Sequence, residues 1–196
     1  MPKIVDWDAR RDEILAATWR VIARDGIARA TIRAIAREAD CSRGILAHYF
    51  DDKADILGSA LLLSHRRVVA RMEARAAGLT GLAALRVIML EALPLDSERD
   101  LEAQIEISFW GRALGNPALR RLQHTEFDRF TERLRGHLVE AGYLADRAVG
   151  SLVRFSFWML GGAGLALAEA PEADRPRLRE EWRYLIRQTI SGLRAT

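Results

Sequence analysis

Arg43 and His48 occupy one short segment, Ser42-Arg-Gly-Ile-Leu-Ala-His-Tyr-Phe50. Both carry side-chain donors long enough to reach a base edge from a helix lying in the major groove. Arginine there pairs bidentately with guanine O6 and N7. Ser42 is a helix-capping residue, accepting a backbone N–H two or three residues on. The helix end it creates can face a phosphate. Gly44 has no side chain, so the helix can approach DNA closely, and Ala47 offers a methyl group to a thymine methyl. Thr31, Arg33, Tyr49 and Lys53 flank the segment and suit the phosphate backbone, where contacts set register rather than sequence preference. The chemistry these residues support is recognition of double-stranded DNA.

These residues need a scaffold. Thr31 caps a short helix through Ala39, with Ile32, Ile35, Ala36 and Ala39 as its apolar stripe. Asp40-Cys41 forms a tight turn, and a second short helix runs from Arg43 to Tyr49. Each is too short to be stable alone. Both must pack on a first helix, from about Asp8 to Asp25, on which Ile14, Ala17, Val21 and Ile22 share a face. Cys41 and either Ile45 or Leu46 complete that contact. Gly26 is expected to end the first helix as a left-handed cap. The pattern is that of a helix-turn-helix. Spacing alone leaves an ordinary pair of short helices in an all-α domain equally open.

Helical periodicity dominates the rest of the 196 residues. Asp51-Asp52 caps a helix to about Ala77, and Leu82 to Leu93 is another, ended by Pro94. Ser97 to Leu114 follows, then Pro117 to Ala141, ended by Gly142. Asp146 caps a helix to about Ala168. Pro171 and Pro176 mark the last break before a final helix, Arg177 to Ile190. The expected fold class is all-α with nine helices. It divides into a DNA-binding domain at 8–68 and an effector-binding and dimerisation domain at 69–196.

Composition narrows the function classes. The chain is 49% hydrophobic and 29% charged, enough for a core beneath a solvated surface. The net charge is +3, with both signs interspersed, so any DNA footprint must be gathered by folding. The single cysteine, Cys41, excludes a disulfide framework; a redox-sensing role for it is the minor alternative to packing. Met1 to Trp7 lacks an apolar signal core, so a cytoplasmic protein is expected. The apolar run at 155–168 falls short of the about 20 residues a membrane span needs. None of His48, His65, His124 and His137 lies three residues after a glutamate, so the di-iron helical pattern is missing. Metal-protease, nucleophile-elbow and P-loop motifs are missing too, and Gly161-Gly-Ala-Gly164 lacks the spacing of a dinucleotide loop. No enzyme activity, cofactor or metal is expected.

A dense series of motifs resembles the N-terminal domain of the TetR family of bacterial regulators. It comprises Ile14-Leu15, Gly26, Thr31-Ile-Arg-Ala-Ile-Ala36, Ser42-Arg-Gly44, His48-Tyr-Phe50 and Asp52-Lys53. Within the family, the segment Gly44–Phe50, Phe109-Trp110 and Asn116-Pro-Ala-Leu-Arg-Arg-Leu-Gln123 are similar to the choline-responsive (BetI-like) repressors of glycine-betaine synthesis. Two positions depart from the pattern. Ala47 stands where much of the family has an aromatic that touches the DNA backbone, and Cys41 replaces an aliphatic of the turn.

The resemblance implies an effector pocket, and a small cation such as choline as effector. The residues offer a place for it. Glu102, Glu106, Phe109 and Trp110 fall on adjacent turns of one helix, and a carboxylate beside an indole holds an ammonium group by charge and cation–π attraction. Phe127, Phe155 and Trp158 could complete the cage. The alternative is that the aromatics are core and the glutamates a solvated face. The resemblance further implies a homodimer through the last two helices, about 146–168 and 175–192. Two reading helices about 34 Å apart would then address a palindromic operator. The expected function is that of a ligand-responsive repressor.

Overall fold

The computed structural model describes residues 6–143 and 147–194; within them, the side chains at 147–149, 151, 152, 155–157, 160, 168 and 194 lie outside the description. Among the described residues the chain forms nine α-helices and no strand. They are α1 (Trp7–Asp25), α2 (Ile32–Glu38), α3 (Arg43–Tyr49), α4 (Lys53–Ala76), α5 (Gly81–Glu91), α6 (Ser97–Ala113), α7 (Pro117–Glu140), α8 (Arg147–Glu169) and α9 (Arg175–Arg194).

Caps explain most boundaries. Asp6, Thr31, Ser42, Asp52 and Asp96 each accept a backbone N–H three residues on, closing the first turns of α1, α2, α3, α4 and α6. Asn116 does the same for α7, with Pro117 at its first position, where no N–H is needed. Three expectations need correction, and a fourth is untested. Gly26 has a positive φ of 79° but a ψ of 155°, so it ends α1 in an extended mirror conformation rather than the left-handed one. The helix before Pro94 stops at Glu91, because the residue preceding a proline avoids helical geometry. Pro176 does not break the chain. A 3-10 turn at Glu172–Asp174 absorbs the bend, and Pro176 sits in the first turn of α9, which runs on past Ile190 to Arg194. Asp146, the expected cap of α8, lies outside the described residues.

Two hydrophobic cores organise the molecule. The first gathers Ile14, Leu15, Val21 and Ile22 of α1, Ile35 of α2, Leu46 of α3, and Ile56, Leu57 and Leu61 of α4. Ile105, Phe109 and Ala113 of α6 and Leu119 of α7 close it from below. The second joins Met72 of α4, Leu85, Ile88 and Met89 of α5, Leu134 and Leu138 of α7, Val153 and Ala163 of α8, and Ile186 and Ile190 of α9. The helix α4 is uninterrupted through the expected boundary at 68/69, extending about 36 Å at 1.5 Å per residue. It therefore supplies both cores and makes a stiff rod between them.

Candidate nucleic-acid interface and sensor site

The helix α3 is short and its anchorage is specific. Leu46 and Phe50 are buried in the first core, whereas Ile45 is exposed, which settles which aliphatic of α3 packs inward. The turn before α3 is held by several bonds. Asp40 takes a positive φ of 47°, a conformation aspartate tolerates better than most residues. The Cys41 N–H donates to the Ala36 carbonyl at 2.9 Å. From α1, Arg10 Nη2 donates to the carbonyl of Ala39 at 3.1 Å. Arg20 and Arg24 of α1 both reach Glu38 of α2, at 2.8 and 2.9 Å. Trp19 of α1 donates from Nε1 to the Ala60 carbonyl of α4 at 2.9 Å, and Arg67 lies over its ring. Three helices thus fix the attitude of α3.

Arg43, Gly44, Ala47 and His48 are all exposed. Their spacing of one, four and five residues puts them on one stripe of α3, opposite Leu46. Among the described residues nothing hydrogen-bonds to or ion-pairs with the side chains of Arg43 or His48. Thr31 and Arg33 at the start of α2 are exposed beside them. Lys53 opens α4 half-buried, and burial, with nearby Arg112, pushes its ammonium below the usual lysine range. The ring of Tyr49 packs on Trp7, with centroids 4.3 Å apart, which leaves its hydroxyl as the polar group available for contact. The thiol of Cys41 is pushed up by burial, which disfavours the reactive thiolate and with it a redox role.

The expected sensor residues separate into three groups. Phe109 is fully buried in the first core, so it cannot face a ligand there. Glu102 is also buried, and Arg71 of α4 clasps it with both terminal nitrogens, at 3.0 and 2.6 Å. The same Arg71 reaches Glu91 of α5 at 3.2 Å. Glu102 is therefore neither a solvated face nor a free counter-charge. Glu106, Trp110 and Trp158 do come together. Trp110 Nε1 donates to Glu106 Oε1 at 2.8 Å, and the Trp158 ring meets Trp110 edge-on at 5.8 Å. Phe127 is half-buried on α7. The side chain of Phe155 lies outside the described residues.

Sequence reasoning missed the residue at the centre of this group. His65 of α4 lies between Glu106 Oε2, 2.7 Å from its Nε2, and Glu126 Oε2 of α7, 3.5 Å from its Nδ1. Burial pushes this imidazole down, but Glu106 and Glu126 outweigh it, and the net direction is up from 6.5. Burial raises Glu106, and His65 and Trp110 more than compensate, holding it below the usual carboxylate range. A signal was present. Leu61, His65, Val68 and Met72 follow helical spacing, so a histidine sits in an otherwise apolar stripe. Gly161 of α8 was likewise read only as small. A Cβ there would stand 2.0 Å from Trp110 Cη2, so the glycine is what admits the indole.

The site is closed. Two small clefts, each with a volume of about 10 Å³, lie elsewhere in the body, one among Leu85, Met89, Leu134 and Leu193 and one beside Asp100 and Arg175. Among the described residues no cluster of histidine, cysteine and carboxylate side chains suits a metal ion, and no helix is long and apolar enough to cross a membrane.

Comparison with known proteins places both halves of the chain. Residues 14–60 match the family model of bacterial regulatory proteins of the TetR family. Residues 81–150 match that of the BetI-type transcriptional repressor C-terminal region. The transcriptional regulator BetI of Burkholderia lata is 30% identical over 147 residues, 70% of this chain and 70% of its own length. PksA of Bacillus subtilis, another helix-turn-helix regulator, is 36% identical over 110 residues, 56% of this chain and 54% of its own. Among solved structures, a transcriptional regulator of Saccharomonospora viridis in complex with choline superposes with a TM-score of 0.77 at 23% identity, covering 92% of this chain and 96% of its own. A Rhodococcus regulator reaches 0.80 at 23% identity, covering 93% and 96%.

Proposed function

The chain belongs to the TetR family of DNA-binding bacterial transcriptional regulators and carries a BetI-type C-terminal region; on that premise we propose that it is a ligand-responsive repressor that binds a palindromic operator as a homodimer in the cytoplasm. Arg43 and His48 read base edges, with Gly44 and Ala47 allowing close approach. Thr31, Arg33, Ser42, Tyr49 and Lys53 hold the phosphate backbone. The observation that carries this reading is the bare outward stripe of α3 on a helix otherwise locked by Leu46, Phe50 and the bonds of its turn. A helix fixed in attitude but unpartnered on one face is built to meet something outside the chain.

The dimer forms through α8 and α9. Trp158, Leu165, Tyr184 and Leu185 leave a band of exposed apolar surface on those two helices, which a second copy would cover. Two copies related by a twofold axis would present two α3 helices to successive major grooves. The effector is a small cation such as choline. Glu106, Trp110, Trp158 and Phe127 supply the carboxylate and indole chemistry that holds an ammonium group. The choline-bound neighbour supports the same class of ligand. Binding must favour one of two arrangements of the reading heads, or no switching follows.

Selection of bound fragments from random DNA tests the DNA reading. The expected product is an inverted repeat whose half-sites lie one helical turn apart. Affinity for it should fall steeply with salt, with a log–log slope of roughly −3 to −4 if Arg33 and Lys53 from both protomers neutralise phosphates. An unenriched pool, or affinity indifferent to salt, overturns the reading.

A further inference from the structure

The ring nitrogens of His65 face carboxylates from two different helices, Nε2 hydrogen-bonded to Glu106 at 2.7 Å and Nδ1 at ion-pair distance from Glu126, 3.5 Å, without a hydrogen bond. Only the imidazolium form carries an N–H on each nitrogen; a neutral ring would turn a lone pair toward one carboxylate. The charged groups facing the ring are Glu106 from α6 and Glu126 from α7. Behind them, Arg129 of α7 bonds Glu126 from its exposed side at 2.6 Å. The neighbouring cations of α4 look elsewhere: Arg66 turns to Asp12 of α1 at 3.9 Å, and Arg67 lies over Trp19. His65 is thus a cation belonging to the chain, already seated where the carboxylate of the sensor site would take a cation from outside.

We propose that His65 is an internal competitor for the sensor site: a monocationic effector and the His65 proton exclude one another at Glu106 and Glu126, so that effector binding expels a proton and removes the two His65 ion pairs that link α4 to α6 and α7. The inference rests on the reading of Glu106 and Trp110 as a site for an ammonium-bearing effector. The exchange balances in charge. One cation enters, one proton leaves His65 for solvent, and the carboxylates stay ionised. It also joins the sensor to the DNA head, because α4 begins at Lys53, four residues after the end of α3. While His65 is charged, two ion pairs tie that rod to the body. Once the proton is lost, both are lost.

The sign follows from linkage. The folded-state affinity of His65 for its proton is raised, so the tie is fully present in acid, below the ordinary value of 6.5, and is lost as pH rises through the raised value. Effector affinity runs the opposite way. It should be weakest in acid, strengthen by about tenfold per pH unit while His65 remains protonated, and level off above. Glu106 is held below the usual carboxylate range and does not titrate in that interval.

The test is calorimetry of choline chloride against the full chain, without DNA, from about pH 5.5 to 8.5. Two buffers of different ionisation enthalpy at each pH count the protons released. Expected are release of close to one proton per cation in acid and a dissociation constant that falls with pH. The variant His65→Gln should bind with a flat profile and, in acid, more tightly than the wild type. If that variant does not fold, the proton count on the wild type decides alone. Binding at unchanged affinity across the range with no proton release overturns the competition and leaves the cationic-effector reading standing. Failure of choline and of tetramethylammonium to bind at any pH overturns that reading, and the inference with it.

Discussion

Two helices carry the recognition chemistry proposed for this molecule, and they treat their polar groups in opposite ways. On α3, Arg43 and His48 extend into solvent with their bonding capacity unspent. On α6, Glu102 and Glu106 are already engaged, one clasped by Arg71 and the other by His65 and Trp110. The difference matches what each surface is proposed to meet. A polyanion brings its own charge in bulk, and desolvation is limited at a wet interface. A small cation must be distinguished in a dry place, where an ionised carboxylate without a partner would be costly. The outward face can wait bare, while the inward one must be satisfied in the absence of ligand.

The contrast can be broken first at the DNA face. Arg43→Ala combined with His48→Ala should weaken operator binding by about 4 kcal/mol, roughly a thousandfold, since each good base contact is worth about 1–3 kcal/mol. Thermal unfolding should stay where it was, because neither side chain supports the fold. Anisotropy titration with a labelled operator, beside a melting curve, reads both. A matching drop in melting temperature would mean that the stripe is structural. The inward face should respond in the reverse sense. Glu102→Ala removes the two-pronged partner of the Arg71 guanidinium, which Glu102 holds more firmly protonated than usual, and leaves it Glu91 alone. Losing those charge-assisted hydrogen bonds should cost about 1.5–3 kcal/mol. Urea unfolding should show the loss at unchanged operator specificity.

Smaller effects sharpen the picture. Gly161→Ala forces Trp110 to swing off α8, an overpacking cost of about 1–3 kcal/mol. Its fluorescence should shift as the bond to Glu106 is lost; an unchanged emission spectrum would show that the indole has room. Ser42→Ala removes the cap of α3 and should cost about 1 kcal/mol. That loss should appear in operator affinity as well as in stability, since the cap also fixes the end of the reading helix.

What could be read from residues alone was local. Capping side chains announce their helices, so α3 follows from Ser42, but whether Ile45 or Leu46 turns inward was left open and is decided only by packing. The nine helices follow from periodicity and from punctuation by glycine, asparagine and proline. Pro176 misled because the same residue that halts a helix also fits its first turn, and only the 3-10 turn before it decides between the two. The sensor site was half legible. Glu106 and Trp110 are four residues apart on one helix, so their bond is a local event. His65 is 41 residues from Glu106 in the chain, and Arg71 is 31 from Glu102. Such pairs depend on how α4 and α6 cross, which no short window of sequence encodes. Phe109 fell on the wrong side of the division because an aromatic beside a tryptophan looks the same from sequence whether it lines a pocket or fills a core.

The burial of Phe109 and Ala113 bears on anyone wishing to graft this sensor onto a different reading head. A splice within α4 near residue 68 would follow the chain but cut through the packing, leaving Phe109, Ala113 and Leu119 to meet an unfamiliar surface. The seam between the two modules is three-dimensional. A working chimera would have to bring the end of α6 and the start of α7 along with its new head, or redesign the underside of that head to receive them.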